Sequence, residues 1–218
     1  MQTVRVFFSK TGRAKYISHL DLVRCLARAF ARTDIPAWFT EGFNPHLYLT
    51  FSLPLPLGVS GLEESMDFRL TDDAYPLSRV ESELCRTLPE GVEVLWAAPA
   101  ADDPMEIAWA DYGIGLFSPA PRTLCAQLRD FFGREQILTI KKTKRGEKEI
   151  DLAPLLQVLS LSAETDRVRL CLRLAAGNTL NIGPTLALGA FWEAVGESSD
   201  YQTVERIRIL KADFTPFR

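Results

Sequence analysis

Histidine is the scarcest chemistry-bearing residue in this chain: there are two in 218 residues, His19 and His46. Sites built from three or four imidazoles are thereby excluded, and a two-histidine metal site would need Asp21 or Glu41 as its third ligand. Cysteine is nearly as sparse. Cys25, Cys85, Cys125 and Cys171 stand far apart, each in an apolar segment and none in a CxxC pair. Zinc fingers and cysteine-held iron–sulfur clusters take at least two ligands from one tight turn, so this spacing reads as reduced, buried thiols. No metal and no cofactor are expected. Long apolar runs are missing too, since nothing reaches the roughly 18 consecutive residues of a membrane helix. The start, MQTVRVFFSK, has neither the basic n-region nor the apolar h-region of a signal peptide. These absences predict a cytoplasmic protein with no membrane partner.

What is present is a globular composition, 47% hydrophobic and 24% charged, with a net charge of -3. A chain of 218 residues fits one large or two compact domains with real cores. Its charge is uneven. Residues 1 to 50 carry seven Lys and Arg against three Asp and Glu, whereas residues 51 to 110 carry three against twelve. A basic start beside an acidic middle neither requires nor excludes a nucleic-acid partner.

Periodicity predicts the elements. TVRVFF puts Val4, Val6 and Phe8 on one face of a strand. SHLDLVRCLARAFAR switches to helical spacing, with Leu20, Val23, Ala27 and Phe30 on one stripe and Leu22, Leu26 and Ala29 beside it. Ser18 and Asp21 stand at N-cap and N3 of a capping box. LYLTFSL and SMDFRL read as two strands, PLSRVESELCRTL as a helix and VEVLWA as a fourth strand. That βαββαβ order is the ferredoxin-like split βαβ unit. The proline- and acid-rich stretch 99–110 reads as a linker. After it come a strand at YGIGLF, a helix at RTLCAQLRDFF, strands at QILTIKK, EIDLAPLLQVLSLS and RVRLCLRLA, a helix opened by Pro184, and a closing strand at VERIRIL. The expected fold is therefore α+β: a ferredoxin-like domain at 1–98 and a second, decorated one at 111–218.

Candidate chemistry gathers at four places. Arg24, Arg28 and Arg32 recur every four residues on one helix, a stripe of planar guanidinium forks suited to phosphate oxygens. Lys10, Arg13 and Lys15 crowd the loop that feeds its N-terminus. In GFNPH, Gly42, Asn44 and Pro45 specify a fixed turn that presents Phe43 and His46. In the second half, Lys141, Lys142, Lys144, Arg145 and Lys148 surround a hairpin tip. Arg167, Arg169 and Arg173 share one face of a strand, as Arg206 and Arg208 do on the last; with these strands as neighbours, their outer faces merge into a basic surface. Glu63 and Glu64 are candidate partners for the arginine stripe. Imidazole is the side chain suited to acid–base work near neutral pH, so His19 and His46 are the candidate catalytic residues of any such reaction.

Two stretches, VRVFFSKTGRAKYISHLDLVRCLARAFART and IPAWFTEGFNPHLYLTFSLPLPLGVSGLEESMDF, resemble the radical-SAM-linked proteins, a bacterial domain of unknown function found beside or fused to an uncharacterised radical SAM enzyme. KEIDLAPLL and NIGPTLAL look similar to weaker segments of that family. The resemblance implies a radical SAM protein as partner. It supplies no catalytic residues. A radical SAM enzyme holds its cluster in a CxxxCxxC loop that this sequence lacks, so the cluster and S-adenosylmethionine would belong to the partner. In architecture the two halves also resemble the CRISPR-repeat endoribonucleases, although the glycine-rich C-terminal loop of those enzymes is not evident here. The leading expectation is a non-catalytic accessory protein that binds tRNA or rRNA through these cations and presents it to a radical SAM enzyme. The alternatives are a metal-independent endoribonuclease using His19 or His46, and a pure protein-interaction module.

Overall fold

The computed structural model describes residues 1–143, 146–177, 179–196 and 201–218. The chain divides into two compact units, Met1–Glu106 with Thr215–Arg218, and Ile107–Phe214. Strands and four α-helices alternate, giving a mixed α and β class among the described residues. No described helix is long and apolar enough to cross a membrane.

The first unit runs β1 (Gln2–Lys10), α1 (His19–Phe30), β2 (Leu49–Phe51), β3 (Ser60–Leu70), α2 (Leu77–Thr87) and β4 (Val92–Pro99). β1 is central, antiparallel to β3 on one side and to β4 on the other, and β2 pairs antiparallel with β3. The period-two pattern explains the core. Val4, Val6 and Phe8 share a face with Met66, Phe68 and Leu70, and Leu22, Leu26 and Phe30 of α1 and Val80 and Leu84 of α2 pack on it. At the start of α1 the Ser18 hydroxyl accepts from Asp21 N–H at 3.2 Å and donates to the Asp21 carboxylate at 2.8 Å, closing the expected cap. Helix α1 buries Leu22, Leu26, Ala29 and Phe30. Leu20, expected on the buried stripe, is 66% exposed, because it lies two residues before Leu22 and so points away from the sheet. The seven-residue strand expected at LYLTFSL pairs only over Leu49–Phe51; Leu47 instead bridges back to Phe39, and Pro54 interrupts the far end.

The second unit runs β5 (Ile107–Phe117), α3 (Pro121–Phe132), β6 (Leu138–Thr143), β7 (Gly146–Asp151), β8 (Leu156–Ala163), β9 (Arg167–Ala175), α4 (Pro184–Val195) and β10 (Gln202–Lys211). β5 lies between β10 and β9, β8 pairs with β9, and every pairing is antiparallel. β6 and β7 form a separate two-stranded sheet. β5 begins at Ile107, so residues 107–110 of the expected linker are strand, their alternation masked in sequence by Trp109 and the acids around it. The second unit thus repeats the element order of the first, with the β6–β7 hairpin inserted after its first helix. β9 and β10 are not neighbours as the merged basic face requires: β5 separates them.

Candidate nucleic-acid interface

Because α1 buries one stripe, its opposite side carries Arg24 and Arg28 on successive turns; the helix ends at Phe30 with Ala31 as its cap, so Arg32, expected on the same helix, instead lies in the turn that follows it. The last turn of α2 adds Arg86, and the residues after it close an open groove of about 910 Å³ lined by all four arginines, Asp21 and Cys25. Arg24 pairs with Asp21 at 2.9 Å, and an Arg32 N–H donates to the Thr87 carbonyl, bracing the two helices. Among the described residues Arg28 and Arg86 have no hydrogen-bond or ion-pair partner. Hydrogen bonds from Ser18 first, and then from Arg24, hold the Asp21 carboxyl below its ordinary range. Four guanidinium groups against one carboxylate leave the groove strongly positive, and a concave surface of one sign concentrates anions. Four residues of helix separate Arg24 from Arg28 by roughly 6 Å of rise, and a guanidinium fork presents two parallel N–H donors of the spacing that suits phosphate oxygens.

Lys10, Arg13 and Lys15 do not extend this surface uniformly. Arg13 is exposed in a short 3-10 turn and Lys15 lies over the Tyr16 ring, but Lys10 is buried, its Nζ donating to the Ile17 carbonyl at 2.8 Å. Burial pushes the Lys10 ammonium below its ordinary range, and the neighbouring Glu64 carboxylate partly restores it. Neither predicted acid reaches the stripe: Glu64 is buried beside Lys10 and Glu63 pairs with Arg218 at 2.6 Å. His19, itself exposed, packs edge-on against Phe51 at 4.9 Å beside a small pocket of about 10 Å³ that Lys10 and Glu64 also line. That space suits one water and admits no substrate.

His46 belongs to the loop. Its Nδ1 lies 2.9 Å from the Thr40 hydroxyl and 3.2 Å from the Asn44 carbonyl, and its backbone N–H donates to Thr40 Oγ1 at 3.1 Å. These bonds staple the turn that presents Phe43, and Gly42 takes the left-handed φ of 122° that the turn requires. His19 and His46 thus serve two separate places, and no group of three metal-ligating side chains occurs among the described residues.

In the second unit most of the predicted arginines are paired with acids where they stand, Arg173 and Arg208 sharing one. Arg173 makes a two-point pair with Asp111, at 2.7 and 3.1 Å, and Arg208 approaches the same carboxylate at 3.4 Å. The Asp111 hydrogen bond raises the Arg173 guanidinium further. Arg167 pairs with Asp166 at 2.9 Å, Arg169 pairs with Glu164, and Arg206 is buried. Lys141 donates to the Asn181 carbonyl at 2.8 Å and Lys142 approaches Glu147 at 3.8 Å. Lys144 and Arg145 lie outside the described residues, while Lys148 is exposed.

Sequence reasoning missed Arg86, which completes the groove. Its only signal is its place in the last turn of a helix that packs on the same side of the same sheet as α1. Arg69 of β3, which lies over the Trp38 and Tyr48 rings, was missed as well.

A family model described as an uncharacterised protein conserved in bacteria (DUF2344) matches residues 3–184. Among solved structures, the crystal structure of an unknown protein from Galdieria sulphuraria is 15% identical over 94% of this chain and 98% of that one, with a TM-score of 0.27. No curated protein matches.

Proposed function

This chain belongs to that bacterial family of uncharacterised proteins, and we propose that it is a non-catalytic RNA-binding accessory protein that grips phosphates in the groove between α1 and α2. The observation that carries the reading is the set of four arginines, two of them without a protein partner, on one open surface. Backbone phosphates supply most of the affinity of a nucleic-acid interface, and arginine is the side chain best shaped for them. The RNA is a structured tRNA or rRNA, presented to a partner enzyme of the radical SAM class; that partnership rests on the resemblance of residues 4 to 68. We read each unit as ferredoxin-like, supported by the repeated strand–helix–strand–strand–helix–strand order with the first strand in the centre. In such a unit both helices lie on one face of the sheet, and the groove between them is a natural binding surface.

Ultraviolet crosslinking of the tagged protein in its native cells, followed by sequencing of the bound RNA, tests this reading. A discrete set of RNA peaks supports it. RNA at background level removes it and turns the search toward a protein partner.

A further inference from the structure

Residues 37–48 of the first unit form a short hairpin whose arms meet through the Phe39–Leu47 bridge. At its base the Arg69 guanidinium lies 4.4 Å from the centre of the Tyr48 ring and 5.3 Å from that of Trp38, and the two rings are 5.6 Å apart. Among the described residues, the Arg69 N–H groups, the Trp38 indole N–H and the Tyr48 hydroxyl have no hydrogen-bond partner in the protein. None of these atoms is a buried orphan either, since Trp192 alone holds that position among the described residues. Each of them therefore keeps some access to solvent in a half-buried residue. At the tip, Phe43 is 106% exposed, so both faces of its ring are open. The turn that holds it there is closed by the Thr40 N–H donating to the His46 carbonyl at 2.8 Å and by the Thr40 and Asn44 contacts of the imidazole.

A turn held by its own hydrogen bonds that displays a phenyl ring to water leaves an apolar face that a ligand gains free energy by covering. The charges nearby say which ligand. The tip carries Glu41 and no lysine or arginine, which disfavours a phosphate beside Phe43 and leaves a flat neutral ligand to stack there. The base of the hairpin carries a guanidinium with no acid paired to it, packed over two aromatic rings and open to a phosphate.

We propose that this hairpin and Arg69 bind an unpaired stretch of nucleic acid, with a base stacked on Phe43 at the tip and a phosphate further along the same strand accepting hydrogen bonds from Arg69 at the base. The proposal rests on the RNA reading of the arginine groove and narrows its substrate to RNA with a single-stranded segment. Stacking on a phenyl face reads no base edge, so the site tolerates any sequence.

The test is fluorescence anisotropy with a short uridine oligomer and with a blunt RNA duplex, using wild type, Phe43→Ala, Arg69→Met and Arg28→Glu. Phe43 and Arg69 carry no core packing, and circular dichroism checks that each variant is folded. The expected result is a roughly tenfold loss of oligomer affinity for Phe43→Ala and for Arg69→Met, with duplex affinity unchanged, while Arg28→Glu weakens both ligands. Oligomer binding equal to wild type in both hairpin variants, with Arg28→Glu still weakened, overturns the hairpin site and leaves the groove standing. Equal weakening on oligomer and duplex overturns the preference for unpaired bases. Failure of wild type to bind either RNA overturns the groove reading and this one with it. A co-purifying protein that no longer binds Phe43→Ala, with oligomer affinity unchanged, reassigns the hairpin to a protein partner.

Discussion

Arg5 of β1 and Asp67 of β3 stand directly opposite each other and share two hydrogen bonds of 2.7 Å, Nε to one carboxylate oxygen and Nη2 to the other. The remaining Nη1 donates to the carbonyls of Asp102 and Arg218, and Phe217 lies under the guanidinium at 4.2 Å. The second unit contains the same device with the charges exchanged. Asp111 of β5 faces Arg173 of β9 in register, and Phe214 lies 4.6 Å from that guanidinium.

Removing one member of the Arg5–Asp67 pair strands a buried charge, so Asp67→Leu is expected to destabilise the protein by about 3–5 kcal/mol. Replacing both, as Arg5→Met with Asp67→Leu, removes the stranded charge and recovers part of that stability. Urea unfolding of the two single variants and the double variant measures the coupling. Additive effects would show that the pair acts as two independent groups.

Glu83 supplies a pH dependence. It accepts hydrogen bonds from the Tyr75 hydroxyl at 2.7 Å, the Asp34 N–H at 2.8 Å and Arg79 at 3.0 Å. The Tyr75 bond foremost, with the other two, holds its carboxyl below the ordinary range. The unfolded chain therefore binds the proton more readily. The stability from Glu83 is complete above the unfolded value of about 4.3 and is lost as pH falls through the lower folded value. Thermal melts across that acid range are expected to fall more steeply for wild type than for Glu83→Gln, with the variant less stable at neutral pH. Parallel curves would remove Glu83 as a source of acid sensitivity.

Gly91 holds the chain where Arg13 and Lys15 are displayed. Its φ is 83°, its carbonyl accepts from Thr11 N–H at 2.7 Å, and an added Cβ would stand 2.7 Å from the Thr11 carbonyl oxygen. Gly91→Ala combines an unfavourable backbone angle with a clash against backbone, and a destabilisation of more than about 1 kcal/mol is expected. A neutral result by chemical denaturation would show that the turn relaxes freely.

The strands and helices of the first unit are legible in the sequence because their burial follows period: Val4, Val6 and Phe8 alternate, and Leu22, Leu26 and Ala29 recur on a helical stripe. Leu20 is misread because its composition marks it as core, whereas its angular position faces water. The arginine row is visible as a spacing of four. Arg86 is not, since it joins that row only once α2 is laid beside α1. The basic face expected from Arg173 and Arg208 fails for a similar reason: the intervening strand and its Asp111 are long-range facts of pairing, invisible to a local pattern.

The histidines bear on catalysis. Both imidazoles are exposed but stand at separate places, His46 held by the Thr40 and Asn44 contacts of its loop and His19 against Phe51, so neither supplies the other with an acid–base partner and RNA incubated with wild type in EDTA is expected to stay intact. Gel analysis of several RNAs checks this. Cleavage abolished by His19→Ala or His46→Ala would restore the endoribonuclease alternative.

The groove itself is tested most directly by the salt dependence of RNA binding for wild type and for Arg28→Glu with Arg86→Glu, which alters the two guanidinium groups that have no protein partner. With phosphates held in the groove, the variant binds more weakly at every salt concentration. Its plot of log affinity against log salt is flatter by about 0.7 to 0.9 for each phosphate it no longer neutralises. The same affinity and slope as wild type would contradict the account.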